Sequence, residues 1–304
     1  MAMVSGVTQA RFSSHDGSTL GYQTAGDGPL IVLANGLGGT YVAFRHLYEA
    51  LGERYRVLCW DYRGLYRSTQ PGPTGDLGIP VHSRDLVALL DHVGAARAVV
   101  VGWSMGVQVG LEVLRDHQHR VAGFVAINGT YGTPFRTLLA SRAMRHVVPP
   151  LLALLEANAR AASIVTRHAV DWQGLVPMLR RFKLVGPGAD EALLAEVAAG
   201  LRNADFAVLS ELLRRLGEHD ARDLLDTIDV PTLIVTGDRD LLTPVFTARK
   251  MNRRIKGSRL VILEGATHYT PIERPVEIAR ELLAFLAGVR GWEPSRPAGS
   301  RVAA

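Results

Sequence analysis

The chain has 304 residues, 47% of them hydrophobic and 21% charged, which fits one large α/β domain with an insertion, or two small domains, and excludes wholesale disorder. Its net charge of +5 rests on 34 basic residues of which only Lys183, Lys250 and Lys256 are lysine; the arginines lie scattered among acids, so no nucleic-acid tract is indicated. A single cysteine, Cys59, excludes an intrachain disulfide and a cysteine-rich zinc module, and its apolar setting in Tyr55–Trp60 marks it as a small buried hydrophobe.

In chain order, Gln9–Ser13 and Thr19–Gln23 flank a His15-Asp16-Gly17 turn and predict an antiparallel pair. PLIVLAN, ending at Asn35, is a continuous apolar run of the kind buried on both faces of a sheet. A helix over Tyr41–Leu51 follows, then the strand YRVLCW, a helix from Val81 to Val93, the strand AVVVG at 98–102, a helix over Met105–His117 and the strand VAGFVAI at 121–127. From Tyr131 to Ile228 the periodicity is helical and no strand is convincing. The alternation resumes with PTLIVTG at 231–237, a helix over Phe246–Arg254, the strand RLVILEG at 259–265 and a helix from Pro275 to Val289.

This pattern predicts an α/β fold with a mostly parallel central sheet, helices on both faces and an inserted helical cap. The expected domains are a core of residues 1–130 and 229–290, a cap of 131–228, and a disordered tail from Gly291, where Pro, Gly, Ser and Arg dominate. The first residues lack the basic start and apolar core of a secretory signal, and Val147–Val165 is broken by Pro149, Pro150, Glu156, Asn158 and Arg160. A cytoplasmic protein with no integral membrane segment is therefore the expectation. Oligomeric state is not legible.

The strongest chemical signal is Gly102-Trp103-Ser104-Met105-Gly106. As a bare G-x-S-x-G it is weak, but here a strand runs into it and a helix leaves it, the context of a nucleophile elbow. A serine hydroxyl needs a base to remove its proton. Of ten histidines, His268 stands out because it directly follows the last apolar strand, at the sheet edge that Ser104 shares. His15, His46, His82, His92, His117, His119, His146, His168 and His219 lie in turns, helices or the cap and read as structural or solvated. The loop after PTLIVTG offers two acids, Asp238 and Asp240, to hold the imidazole; Asp238 could equally cap the turn. Two N–H groups, of Met105 after the nucleophile and of Leu37 in the loop Asn35–Gly39, are candidate oxyanion donors. Trp103 and Tyr269, beside Ser104 and His268, are candidate pocket residues.

Across Thr8–Val289 the chain resembles the α/β-hydrolase family, most closely the capped bacterial esterases, enol-lactonases, carbon–carbon bond hydrolases and cofactor-free haloperoxidase-like enzymes. The blocks that carry the resemblance are the loop at 35–39, D-x-R-G at Asp61–Gly64, the elbow at 102–106, and G-x-x-D at 237–240 with the later His268. It implies Asp240 as the triad acid, no metal and no cofactor. Serine at 104 also sets the chain apart from the epoxide hydrolases and dehalogenases of this fold, which use an aspartate there. Three positions depart from the family pattern: Asn35 for the first His, Tyr66 for a Gly, and Val107 where a further Gly is common. Asp61 and Arg63 are expected to brace the loop that holds them.

The expected function is a serine hydrolase cleaving a carboxylic ester, lactone or related acyl bond of a largely apolar small molecule. An aminopeptidase, a carbon–carbon bond hydrolase, an acyltransferase and a non-enzymatic binding protein of the same fold are the alternatives. The cap carries eight basic and two acidic residues over 131–183, and four basic and nine acidic over 184–228. The two halves can pair with each other, or the basic half can meet an anionic partner.

Overall fold

The computed structural model describes residues 6–69, 75–136, 143–158, 164, 168, 172 and 174–293. Eight strands form one sheet: β1 (Thr8–Ser13), β2 (Thr19–Ala25), β3 (Leu30–Ala34), β4 (Arg56–Trp60), β5 (Ala98–Trp103), β6 (Val121–Ile127), β7 (Thr232–Gly237) and β8 (Arg259–Leu263). Their order is β1-β2-β4-β3-β5-β6-β7-β8. β1 and β2 pair antiparallel, as do β2 and β4, and every later pairing is parallel.

Period-two alternation sorts the apolar runs onto two layers. Leu30, Val32 and Ala34 of β3, with Ala98 and Val100 of β5, face α2 (Ile79–His92) and α3 (Met105–His117) through Leu86, Leu89, Val109 and Val113. Ile31, Leu33, Val99 and Val101 point the other way. There they meet Leu47 and Leu51 of α1 (Arg45–Leu51), and Ile278 and Leu282 of a C-terminal helix over Pro275–Leu286. Each fully buried Val or Leu contributes about 1.5–3 kcal/mol, so a continuous apolar strand is stable only when both faces are covered.

Between β6 and β7 lie α4 (Met144–Ala157), α5 (Leu175–Arg181), α6 (Glu191–Gly200) and α7 (Phe206–Glu218). Asp190 and Asp205 cap α6 and α7 by accepting the N–H of Leu193 and Ala207. The entry and exit of this segment meet at a single bridge, Gly132 to Asp220. Two of its acids reach α1, Glu196 to Arg45 at 2.5 Å and Asp190 to His46 at 3.7 Å, while Glu191 pairs with Arg180 of α5. α8 (Val245–Arg254), α9 (Thr270–Glu273) and α10 (Pro275–Leu286) complete the chain.

Several bounds differ from expectation, for local reasons. The segment over 41–51 opens as a 3-10 turn, Tyr41–Phe44, because the Thr40 hydroxyl accepts the Val42 N–H and tightens the start. α2 begins at Ile79, with Pro80 in its first turn, where the missing N–H costs nothing. β8 stops at Leu263 before Gly265 turns the chain at φ +71°. α9 was not expected from the sequence, and α10 stops at Leu286. Trp292, expected in a disordered tail, is only 8% exposed and packs with the α1/α10 layer. Residues 294–304 of that expected tail, and parts of the expected cap between 137 and 173, lie outside the described residues.

A buried ion cluster ties the N-terminal hairpin to this frame. Arg63 donates from Nε and Nη2 to both oxygens of Asp85 at 2.8 and 2.6 Å, and from Nη1 to Asp16 at 2.5 Å. Asp85 is fully buried and also accepts the Ser14 hydroxyl. The hydrogen bond from Arg63 holds the Asp16 carboxyl well below the usual carboxylate range. Removing one member of a buried pair strands the other charge in a poor solvent. Arg63→Ala is therefore expected to lose about 3–5 kcal/mol of stability, read as a lower urea midpoint at unchanged slope; a midpoint like that of the wild type would mean the cluster is not what secures the hairpin.

Candidate active site

The C-terminal ends of β5, β7 and β8 bring three loops to one edge of the sheet, where a parallel sheet forms its crevice. At the end of β5 the chain turns into α3 within one residue, Ser104, whose φ of +55° lies in the left-handed region. The neighbours explain the sharpness. A Cβ added at Gly102 would lie 2.4 Å from the Gly106 carbonyl oxygen, and one at Gly106 would lie 2.0 Å from that of Ala34. No side chain fits at either position, so strand, turn and helix pack backbone against backbone and lift Ser104 clear of them.

His268 Nε2 stands 2.9 Å from Ser104 Oγ, and His268 Nδ1 stands 2.9 Å from Asp240 Oδ2. Burial raises the Asp240 carboxyl, but the His268 imidazole and the bonds from Thr243 outweigh it, leaving the carboxyl lowered. An ionised carboxylate only accepts, so Nδ1 carries the proton and Nε2 is free to accept the Ser104 hydroxyl. Ser104, His268 and Asp240 therefore form one continuous hydrogen-bonded line. Asp238 is elsewhere: it is exposed, and its Oδ1 accepts the Gly265 N–H at 2.7 Å, across the neighbouring turn.

Asp240 has partners that sequence reading missed. Its Oδ1 accepts the N–H groups of Leu242 and Thr243, both at 2.8 Å. Its Oδ2 accepts the Thr243 hydroxyl at 2.7 Å and the Asn128 amide at 2.7 Å, besides the imidazole. The D-x-x-T spacing is a local signal for the first of these. Asn128 carries none, because it arrives from the end of β6 and also holds Thr267 O and the Thr270 hydroxyl. Glu273 supports the same loop by accepting the N–H of Thr267 and of Gly186 at 2.8 Å each. Trp103 donates its indole N–H to His268 O at 2.9 Å, and Tyr269 stands edge-on to the imidazole.

The other candidates gather on the same cavity, whose volume is about 370 Å³. Leu37, Met105, Trp103 and Tyr269 all line it, together with Ser104 and His268. A Cβ placed on Gly36 would sit 3.3 Å from the Ser104 Cβ, so the Asn35–Gly39 loop lies directly against the elbow. Among the described residues the N–H groups of Leu37 and Met105 have no hydrogen-bond partner. Both are open to a developing oxyanion.

The three departures have structural answers. Asn35 turns from the cavity and donates to Cys59 Sγ at 3.0 Å, while its carbonyl accepts the Tyr62 hydroxyl. Tyr66 has a left-handed backbone, at φ +50°, a conformation easy for glycine and a strained choice for a bulky residue. Its hydroxyl donates to Gly38 O and so ties down the Asn35–Gly39 loop. Val107 is accommodated from across the gap, since a Cβ at Gly129 would lie 2.2 Å from its methyl carbon. Asp61 accepts from the Gln23 amide and the Arg67 N–H, and burial pushes its carboxyl up to about 6.

The two aspartates can be separated by amide substitution. Asp240→Asn is expected to lower kcat by orders of magnitude, with ~10⁴ as the scale for removing such an acid. Asp238→Asn loses one exposed turn contact and is expected to keep most activity and about 1 kcal/mol less stability. Kinetics and thermal melts of both variants check this, and the reverse pattern would reassign the acid.

Comparison with known proteins bears on the family and the fold. The model of a family described as "Alpha/beta hydrolase family" matches residues 31–281. The chain is 27% identical to a putative carbamate hydrolase RutD from Caulobacter sp. (strain K31), over 87% of this chain and 92% of that one. It is 29% identical to epoxide hydrolase A of Mycobacterium tuberculosis, over 86% and 91%. Among solved structures, the enol-lactonase from Burkholderia xenovorans LB400 superposes with a TM-score of 0.73 at 25% identity, covering 91% of this chain and all of that one. With the family model spanning most of the chain and an eight-stranded, mostly parallel sheet behind the site, the chain belongs to the α/β-hydrolase family and is a hydrolase by kinship.

Proposed function

We propose that the chain is a serine hydrolase that cleaves a carboxylic ester, lactone or related acyl bond through an acyl-enzyme. The observation that carries this reading is the unbroken line from Ser104 Oγ through His268 to Asp240, at 2.9 Å for each step, opening on a cavity. Ser104 attacks the acyl carbon while His268 Nε2 takes its proton. The N–H groups of Leu37 and Met105 receive the oxyanion, and the leaving group departs with the proton held by His268. Water then repeats the sequence on the acyl-enzyme. Asp240 stabilises the imidazolium that forms in each half.

Relatives with different named chemistries do not choose among reactions; the make-up of the cavity wall supports one reading over the others. Besides His268, its lining includes no Lys, Arg, Asp or Glu among the described residues, and it is dominated by side chains such as Leu37, Phe135, Val197, Leu213 and Leu216. A carboxylate-bearing substrate would be buried here without a counter-charge, and so would the ammonium of an aminopeptidase substrate. A neutral, largely apolar acyl compound is the better fit. The helices between β6 and β7 cover this wall, with Val197, Leu201, Leu213 and Leu216 facing the cavity, and are read as a cap over 131–228.

Ser104→Ala is expected to fold and to lose covalent labelling by a fluorophosphonate together with nearly all hydrolysis of p-nitrophenyl butyrate. Labelling of an unchanged fraction at another serine would refute the nucleophile. In the wild type kcat/KM is expected to rise with pH as His268 loses its proton, since only the neutral ring can accept from Ser104. A profile flat over the range in which histidine titrates, with chemistry limiting, would count against a histidine base.

A further inference from the structure

One polar side chain in this apolar wall is not used by the reaction above. Gln108 lies one helical turn beyond Ser104 on α3, is 1% exposed and lines the cavity. Its Nε2 is held from behind. It donates to His219 Nδ1 at 2.8 Å and faces the carbonyl oxygens of Leu216 and His219, each at 3.5 Å. His219 Nε2 in turn lies 2.9 Å from Glu112 Oε2, and the bond from His219 followed by that from Arg115 keeps the Glu112 carboxyl low.

These contacts fix which way the amide points. An ionised Glu112 can only accept, so His219 Nε2 carries a proton and points it at that carboxylate. The carbonyl oxygens of Leu216 and His219 both face the amide at 3.5 Å, and an acceptor repels an amide oxygen, so the NH₂ end of Gln108 turns toward them and toward His219 Nδ1. Its other end, Oε1, has no donor among the described residues. Gln108 Oε1 is not one of the fully occluded unpartnered polar atoms of the described residues, so it is open, and the cavity that Gln108 lines is the space in which a partner can arrive.

We propose that Gln108 is a specificity residue whose Oε1 accepts a hydrogen bond from an O–H or amide N–H of the substrate. The substrate class narrows to a neutral, largely apolar ester or lactone with a donor near the scissile bond. Gln108 and Ser104 line the same cavity, which suits a donor on the first carbons flanking the ester. The network through His219, Glu112 and Arg115 holds the amide in place and does not touch substrate. This inference rests on the serine-hydrolase reading.

The test compares kcat/KM within two pairs of esters, so that general damage cancels. One pair is p-nitrophenyl β-hydroxybutyrate and its β-methoxy analogue, which probes the acyl side. The other is hydroxyethyl and methoxyethyl butyrate, which probes the alcohol side. The wild type is expected to favour the hydroxyl member of at least one pair by about tenfold or more, because the methoxy analogue offers Oε1 only another acceptor. Gln108→Met, close in shape but with no acceptor of that kind, is expected to bring the ratio near one. Equal rates within both pairs for the wild type would overturn the proposal without any variant, and so would a preference that survives in Gln108→Met. A wild type inert to p-nitrophenyl butyrate and to all four esters would instead sink the serine-hydrolase reading, and this one with it.

Discussion

The backbone crowding at Gly102 and Gly106 is the constraint on which the rest of the site depends. With Gly106 pressed on the Ala34 carbonyl and Gly102 pressed on Gly106, β5 can enter α3 only through a residue bent into the left-handed region. Ser104 takes that place at the cost of backbone strain, of the order of 1–3 kcal/mol. The same contact brings the Asn35–Gly39 loop against the elbow, because Ala34 is the last residue of β3. One close approach thus sets the hydroxyl, the start of α3 and the loop whose N–H groups face it.

The strain is held by structure on every side of the cavity. Tyr66 accepts a left-handed backbone of its own and bonds to Gly38 O, securing the loop from outside. Asn128, also left-handed at φ +46°, reaches from β6 to Asp240, Thr267 and Thr270, and so joins the acid loop to the histidine loop. Trp103 bonds from the elbow to the backbone of His268. Three loops that meet only at their tips become one rigid unit, which a reaction needing sub-ångström placement requires.

Much of this was legible in the sequence because it is local. Strand–turn–helix context singled out Ser104, and position after apolar strands singled out His268 and the Asp238/Asp240 pair; the structure brings Ser104, His268 and Asp240 together and leaves Asp238 on a turn. The alternation of strands and helices gave the α/β class. It could not give the order, in which β4 sits between β2 and β3, since nothing in a strand's own residues names its neighbour. Asn128 and Gln108 escaped for the same reason. Their partners lie 112 and 111 positions away along the chain, at Asp240 and His219. Tyr66 was visible as a departure, but only the fold shows that its hydroxyl closes on Gly38.

An apolar cavity and a buried acid are usually opposed, because burial disfavours charge. Here they are reconciled by counting acceptor sites. Asp240 is 3% exposed, yet its two oxygens receive two N–H groups, a hydroxyl, an amide and the imidazole, so the charge is solvated by fixed dipoles in place of water. In the proposed reaction those dipoles would not need to reorganise as positive charge develops on His268, and with no Lys, Arg, Asp or Glu on the described wall there is little to compete with that field. The same low-dielectric wall makes every unpaired polar atom on it expensive. That is why a lone carbonyl oxygen, Gln108 Oε1, carries information there: on a wet or charged surface it would be unremarkable, but at this cavity it has no donor among the described residues.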